Sequence, residues 1–306
     1  MSTPSPPTFV LVPGHWHTAT HLHPLTTALK NRGLPYATRQ LHTVGRKPPG
    51  PRPCFSDDVS VIYTAVTTEL LQGRDVVLVL HSYAGVPGAE AVNCLIKDGV
   101  VDKVGEERPD SGVAVPGHTT QNGDRDVPQS KRGRLLKVIF IAAYVFPAKM
   151  IIDPKDFVGP DNPGFSIDAD NMTHMTSPWH YFFSDLPLSL AKPFVDACAE
   201  TYYVGPMNIT SENWRKARVS ALLCTKDNAI PKARQEGTWK WLRERKEDGK
   251  GGEGDGEVKW VEACHAPWVS KAEEVADFLA KGVVGGKGKG KVGARVDGGE
   301  GRSGWA

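Results

Sequence analysis

The 306-residue sequence has no run of about eighteen apolar residues, so it offers no candidate for a membrane-spanning helix. Neither charge is in excess. Lysine and arginine total 37 against 35 aspartates and glutamates, a net charge of +2. A nucleic-acid or membrane-surface partner calls for a concentrated basic face, so neither is expected. The basic clusters that do occur, Lys131 to Arg134 and the Lys/Gly stretch after Lys281, lie in segments without apolar periodicity. Cysteine is scarce: Cys54, Cys94, Cys198, Cys224 and Cys264 are odd in number and lack metal-type spacing. Reduced thiols and a cytoplasmic setting are therefore expected. The stretch Met1 to Pro7 has neither a charged nor an apolar leader segment, so no secretory signal is expected there. Apolar residues nevertheless make up 40% of the chain, enough for a sizeable core.

That apolar content is organised as short runs alternating with helix-like segments. Thr8–Val12, Asp75–Leu80, Leu136–Ala142, Val219–Cys224 and Val258–Val261 read as strands, and the continuous run of Val76–Leu80 is the kind that a strand covered on both faces requires. Between them, Leu22, Leu25, Leu29 and Leu34 recur near helical spacing, and Gly33 reads as the helix stop. Helices are also expected over Asp57–Leu71, Ala84–Ile96, Ser189–Ala199, Pro231–Arg245 and Ser270–Ala280. Strands alternating with helices imply a mostly parallel sheet wrapped by helices. Residues 1–149 read as the first part of this core and 216–281 as the second. Residues 150–215, rich in Pro, Asn, Asp and aromatics, break the rhythm and read as an inserted helical cap. Residues 101–134 and 247–256 read as flexible insertions, and 282–306 as a disordered low-complexity tail.

The chemistry concentrates at strand ends. Ser82 closes an apolar strand and opens a helix within Leu80-His81-Ser82-Tyr83-Ala84-Gly85, the place of a nucleophile elbow. A hydroxyl needs a base to take its proton, and the base needs an acid to fix its tautomer. His265 follows the strand ending at Val261 and Asp227 follows the one ending at Cys224, giving the order Ser, Asp, His typical of α/β-hydrolases. Asp153 is a rival acid, but about ten residues separate it from its strand, more than a short loop spans. An oxyanion hole needs two N–H groups, expected from Tyr83 and from His15 in the Pro13-Gly14-His15-Trp16 loop. Trp16, Tyr144, Phe146, Trp179, Tyr181 and Trp268 are candidate pocket walls. His15, His17, His21 and His23 are dense, but their spacing shares no helical face, so no metal is expected.

These segments resemble a known group. Phe9-Val10-Leu11-Val12-Pro13-Gly14-His15-Trp16, the His81-Ser82-Tyr83 elbow, Asp227-Asn228-Ala229-Ile230-Pro231, His265-Ala266-Pro267-Trp268 and Asp185-Leu186-Pro187 are similar to the α/β-hydrolases related to plant methyl esterases and hydroxynitrile lyases, nearest its fungal and bacterial branch. The resemblance covers about Thr8 to Ala280. It implies Ser82, Asp227 and His265 as triad, backbone donors at His15 and Tyr83, and no cofactor. Pro13 stands where the group usually has histidine, and Leu80 where it often has glycine. The expected activity is hydrolysis of an ester, thioester or lactone of a medium-sized, partly apolar small molecule. Carbon–carbon lysis on the same scaffold is an alternative, although the lyases carry lysine where this chain has Ala266. A non-catalytic binding protein is another, disfavoured by the complete set of three residues. Oligomeric state is not legible.

Overall fold

The computed structural model describes residues 5–101, 132–157, 164–244 and 257–281. Most of the first expected insertion, the whole of the second and the tail lie outside the described residues.

Six strands form one sheet: β1 (Thr8–Val12), β2 (Tyr36–Thr38), β3 (Val76–His81), β4 (Leu135–Ile141), β10 (Val219–Cys224) and β11 (Val258–Val261). The strands between β4 and β10 in the chain lie outside this sheet. The order across the sheet is β2-β1-β3-β4-β10-β11, and every neighbouring pair is parallel. Every residue of β1 and β3 is buried. This is why their sequences are continuous apolar runs rather than alternating ones: helices cover both faces. On one face lie α2 (Phe55–Leu71), α3 (Gly85–Lys97) and α6 (Lys232–Glu244), which pack on Val76, Leu78, Leu80, Phe140 and Leu223. On the other lie α1 (His23–Asn31) and α7 (Trp268–Ala280), which pack on Phe9, Leu11, Val77, Val79 and Leu222. Arg32, just past α1, clamps Glu273 and Asp277 of α7, fastening the first helix to the last.

The chain leaves β1 toward β2 at one edge, then returns to place β3 on the other side of β1. In open parallel sheets the crevice at such a reversal, above the carboxyl ends of the strands, is the usual ligand site. Ser82 sits at the end of β3 and Gly14 just past the end of β1, so both flank this reversal.

The segment joining β4 to β10 was expected to be helical and is instead mixed. It contains β5 (Ile151–Ile152) paired with β9 (Met207–Asn208), and an antiparallel sheet of β6 (Phe165–Ile167), β7 (Met172–Met175) and β8 (Thr201–Tyr202). Two short helices, α4 (Pro178–Phe182) and α5 (Leu188–Asp196), lie between β7 and β8. These strands run two to four residues, too short for alternation to register in sequence. Edge strand β2, at three residues, escapes for the same reason.

Candidate active site

Ser82 occupies the left-handed backbone region at φ 55°, where a non-glycine residue is strained. The strain comes from the abrupt change from β3 into a short 3₁₀ turn and then α3. The Ser82 carbonyl is held by the Tyr144 N–H at 3.2 Å. The turn stands the hydroxyl above the sheet with the N-terminus of α3 beneath it, where peptide dipoles favour negative charge.

Leu80, where related elbows often have glycine, is accommodated from the helix side. A Cβ on Gly88 of α3 would lie 2.4 Å from both Leu80 methyls, so the glycine supplies the space that the leucine fills. Gly14 is similarly required: a Cβ there would lie 2.6 Å from the Ser82 Cβ and 2.9 Å from the His81 carbonyl oxygen. Trp16, next but one, also has a left-handed backbone at φ 60°. It is fixed by the segment above: its N–H donates to Thr201 Oγ1 (3.1 Å), its indole N–H to the Thr173 carbonyl (3.2 Å), and its carbonyl accepts from the Ala199 N–H (2.9 Å).

Ser82, His265 and Asp227 are brought together in one buried chain. His265 Nε2 is 2.8 Å from Ser82 Oγ, and His265 Nδ1 is 2.8 Å from Asp227 Oδ2. The other aspartate oxygen accepts the N–H groups of Ala229 and Ile230, each at 2.8 Å. The Gln235 amide donates to Oδ2 at 3.2 Å and also contacts the Ile230 and Cys224 carbonyls. The carboxylate is thus fully engaged as an acceptor, which orients the imidazole with Nδ1–H toward it and leaves Nε2 free to take a proton from Ser82. The loop carrying His265 is tied to the mixed segment through Asp185, whose Oδ2 accepts the Cys264 N–H (3.1 Å) and the Ser270 hydroxyl (2.6 Å). Asp153, the rival acid, is engaged elsewhere, accepting from the Tyr203 hydroxyl at 2.6 Å and the Lys155 N–H at 2.9 Å.

The two candidate oxyanion residues are joined by their side chains. The His15 and Tyr83 rings stack with centroids 3.6 Å apart, and the Tyr83 hydroxyl donates to Asp58 Oδ2 at 3.1 Å. Burial pushes the Asp58 carboxyl up to about 6, against the N–H and hydroxyl of Thr43, which hold it down. Burial also lowers His15 to about 3, so its ring is neutral.

Above Ser82 opens a cavity holding about 780 Å³ of empty space, part of it continuous with solvent. Of the expected wall residues, Trp16, Tyr144, Phe146 and Tyr181 line it, together with Phe165, Met175, Phe182, Met207 and Ile230. Two do not. Trp179 is partly exposed and turned to the Leu186 carbonyl, to which its indole donates at 3.0 Å. Trp268 is fully buried beneath the site, donating to the His21 carbonyl at 2.8 Å and meeting the His81 ring edge-on at 4.6 Å. An aromatic beside the base is as useful to the core as to a pocket, and the first turn of α7 faces the core. Aside from the His15 and His265 rings, the described residues that line the cavity carry no carboxylate, lysine or arginine side chain.

Of the clustered histidines, His17 uses Nδ1 on the His15 carbonyl (2.9 Å), and His21 bridges Thr18 and the Phe194 carbonyl. Among the described residues no three or more His, Cys, Asp or Glu side chains are grouped to hold a metal. The residues that sequence reasoning missed are Gln235, Asp58 and the ring of His81. A glutamine within an amphipathic helix reads as a solvated face, and an aspartate in a first turn reads as a dipole partner. Neither carries a distinguishing signal.

Similarity to known proteins agrees with this architecture. Over 86 residues the chain is 33% identical to the probable hydrolase R7 of a Phoma species, a stretch covering 28% of this chain and only 35% of that protein. An extracellular α/β-hydrolase from a Paenibacillus species superposes with a TM-score of 0.59 at 15% identity, covering 90% of this chain and 98% of that one. Polyneuridine aldehyde esterase superposes with a TM-score of 0.61 at 16% identity, covering 90% and 98%. At such identities these structures share the fold, with a plant esterase among them as the sequence resemblance implied. No described helix is long and apolar enough to cross a membrane. With the α/β-hydrolase family matched over residues 9–278, this chain belongs to that family.

Proposed function

We propose that this hydrolase is a serine esterase that cleaves a neutral, medium-sized, largely apolar carboxylic ester through an acyl-enzyme on Ser82. The observation carrying the reading is the unbroken chain from Ser82 Oγ through His265 to Asp227, with both links at 2.8 Å. Ser82 Oγ attacks the ester carbonyl as its proton passes to His265 Nε2, and Asp227 stabilises the imidazolium that forms. The N–H groups of His15 and Tyr83 stabilise the oxyanion, assisted by the dipole of α3. Collapse of the tetrahedral adduct expels the alcohol, which takes the proton from His265. Water, activated by the same imidazole, then attacks the acyl carbonyl and restores the serine. Walls of Trp16, Phe146, Phe165, Met175 and Phe182 favour apolar acyl or alcohol groups, and the lack of a charged side chain among them disfavours ionised substrates.

The test is labelling of the purified protein with a fluorophosphonate and turnover of a chromogenic aryl ester. Ser82 should carry the label, and Ser82→Ala should lose both label and turnover while keeping its melting temperature. Undiminished labelling of Ser82→Ala, located by peptide mapping, sinks the reading.

A further inference from the structure

The side chain of His81, immediately before Ser82, lies beneath the site and bonds to both the loop after β1 and the loop after β11. His81 Nδ1 accepts the Gly14 N–H at 3.3 Å, and Nε2 lies 3.0 Å from the carbonyl oxygen of His265. A backbone N–H can only donate and a carbonyl can only accept. The ring must therefore be the neutral tautomer with a bare Nδ1 and a proton on Nε2, which donates to His265. Burial, with neighbouring His265 and His17 adding to it, holds His81 well below its ordinary value, consistent with that neutral ring. Its orientation is fixed by the Trp268 edge at 4.6 Å and by the His265 ring at 4.7 Å.

We propose that His81 is a positioning residue that holds the oxyanion loop at Gly14–His15 and the base loop at His265 in register on either side of Ser82. Gly14 directly precedes His15, so the bond to its N–H sets where the His15 N–H points. The bond to the His265 carbonyl fixes the backbone from which the base projects. One ring spans both loops because its nitrogens face opposite ways. No amide side chain can do this: an asparagine oxygen can stand in for Nδ1 and a glutamine nitrogen for Nε2, but neither reaches both partners. This inference rests on the serine-esterase reading.

The test compares wild type with His81→Asn, which keeps the Gly14 bond, and His81→Gln, which keeps the His265 bond. Active-site titration with a fluorophosphonate comes first: an unlabelled, inactive wild type would overturn the esterase reading rather than this one. With wild type active, each variant should lose about 10- to 100-fold in kcat per titrated site, with KM within about threefold. Inhibition by an aryl trifluoromethyl ketone, which forms the tetrahedral adduct, should weaken in step with kcat. A histidine that merely filled the core would lower the folded fraction and leave the kcat of titrated sites and the ketone affinity alone. That outcome, or full activity in either variant, overturns the proposal. If neither variant folds, ¹⁵N-histidine NMR of wild type decides: a bare Nδ1 and protonated Nε2 supports the bridge, and the opposite tautomer refutes it.

Discussion

Replacing Asp227 with asparagine gives the most constrained expectation, because the surroundings dictate which way the amide must point. Asp227 Oδ1 receives two backbone N–H groups, from Ala229 and Ile230, each at 2.8 Å. An asparagine must keep its oxygen there, since turning the amide over would set a donor against two backbone donors, the buried Ile230 N–H and the partly buried Ala229 N–H. Each such donor left unsatisfied costs about 1–3 kcal/mol; the upright amide forgoes one, from Gln235, and the flipped amide two, so the flipped orientation is disfavoured by about 1–3 kcal/mol. The amide nitrogen is then forced to the position of Oδ2, facing His265 Nδ1 across 2.8 Å. A donor at that position makes Nδ1 the acceptor and moves the imidazole proton to Nε2, where it points at Ser82 Oγ. The base is then protonated on the nitrogen that must accept a proton. Turnover should fall by about three to four orders of magnitude, with KM little changed, as in other triads given the wrong tautomer. Asp153→Asn should cost less than about tenfold, since its oxygen can still accept from Tyr203 and Lys155. Steady-state kinetics with an aryl ester decides the matter. A crippled Asp153→Asn beside a near-normal Asp227→Asn would refute the reasoning.

Two further expectations concern the frame. Gly88→Ala should destabilise the wild type by about 1–3 kcal/mol through overlap with Leu80, yet stabilise a Leu80→Ala background by up to about 1 kcal/mol through helix propensity; urea unfolding that gives the same sign in both backgrounds would show that Leu80 is not what fills the space. Asp58 titrates near 6 when folded against 3.8 for the free side chain, so the folded state takes up its proton first and the group's contribution to stability rises as pH falls through 6 toward 4. The stability difference between wild type and Asp58→Asn should therefore shift toward wild type by about 2 kcal/mol between pH 7 and pH 4.5; a difference that is flat, or that moves the other way, would mean the carboxyl titrates normally.

What was legible in the sequence was what burial writes into it. Strands covered on both faces are predominantly apolar, so β1, β3, β4 and β10 fall within a residue of their expected bounds, and the half-buried edge strand β11 matches its Val-Lys-Trp-Val run. The placement of Ser82, Asp227 and His265 just past the ends of β3, β10 and β11 needs no long-range information beyond the sheet being parallel. Illegible features were those decided by tertiary geometry. Gln235 matters because α6 turns it onto the Asp227 loop, and Trp268 leaves the pocket because α7 presents it to the core. The accommodation of Leu80 by Gly88 is a contact eight residues apart, visible only once α3 is laid against β3.

In the proposed mechanism the nucleophile Ser82 and its base His265 lie 183 residues apart in the chain, the base following the last strand added to the sheet. During synthesis, β3 and its serine emerge long before β11, and α7 must still reach back to α1 and be clamped there by Arg32. Until that closure, Ser82 is an ordinary alcohol with no group to take its proton. On the proposed mechanism, nucleophilicity is thus conferred last, by completion of the fold itself.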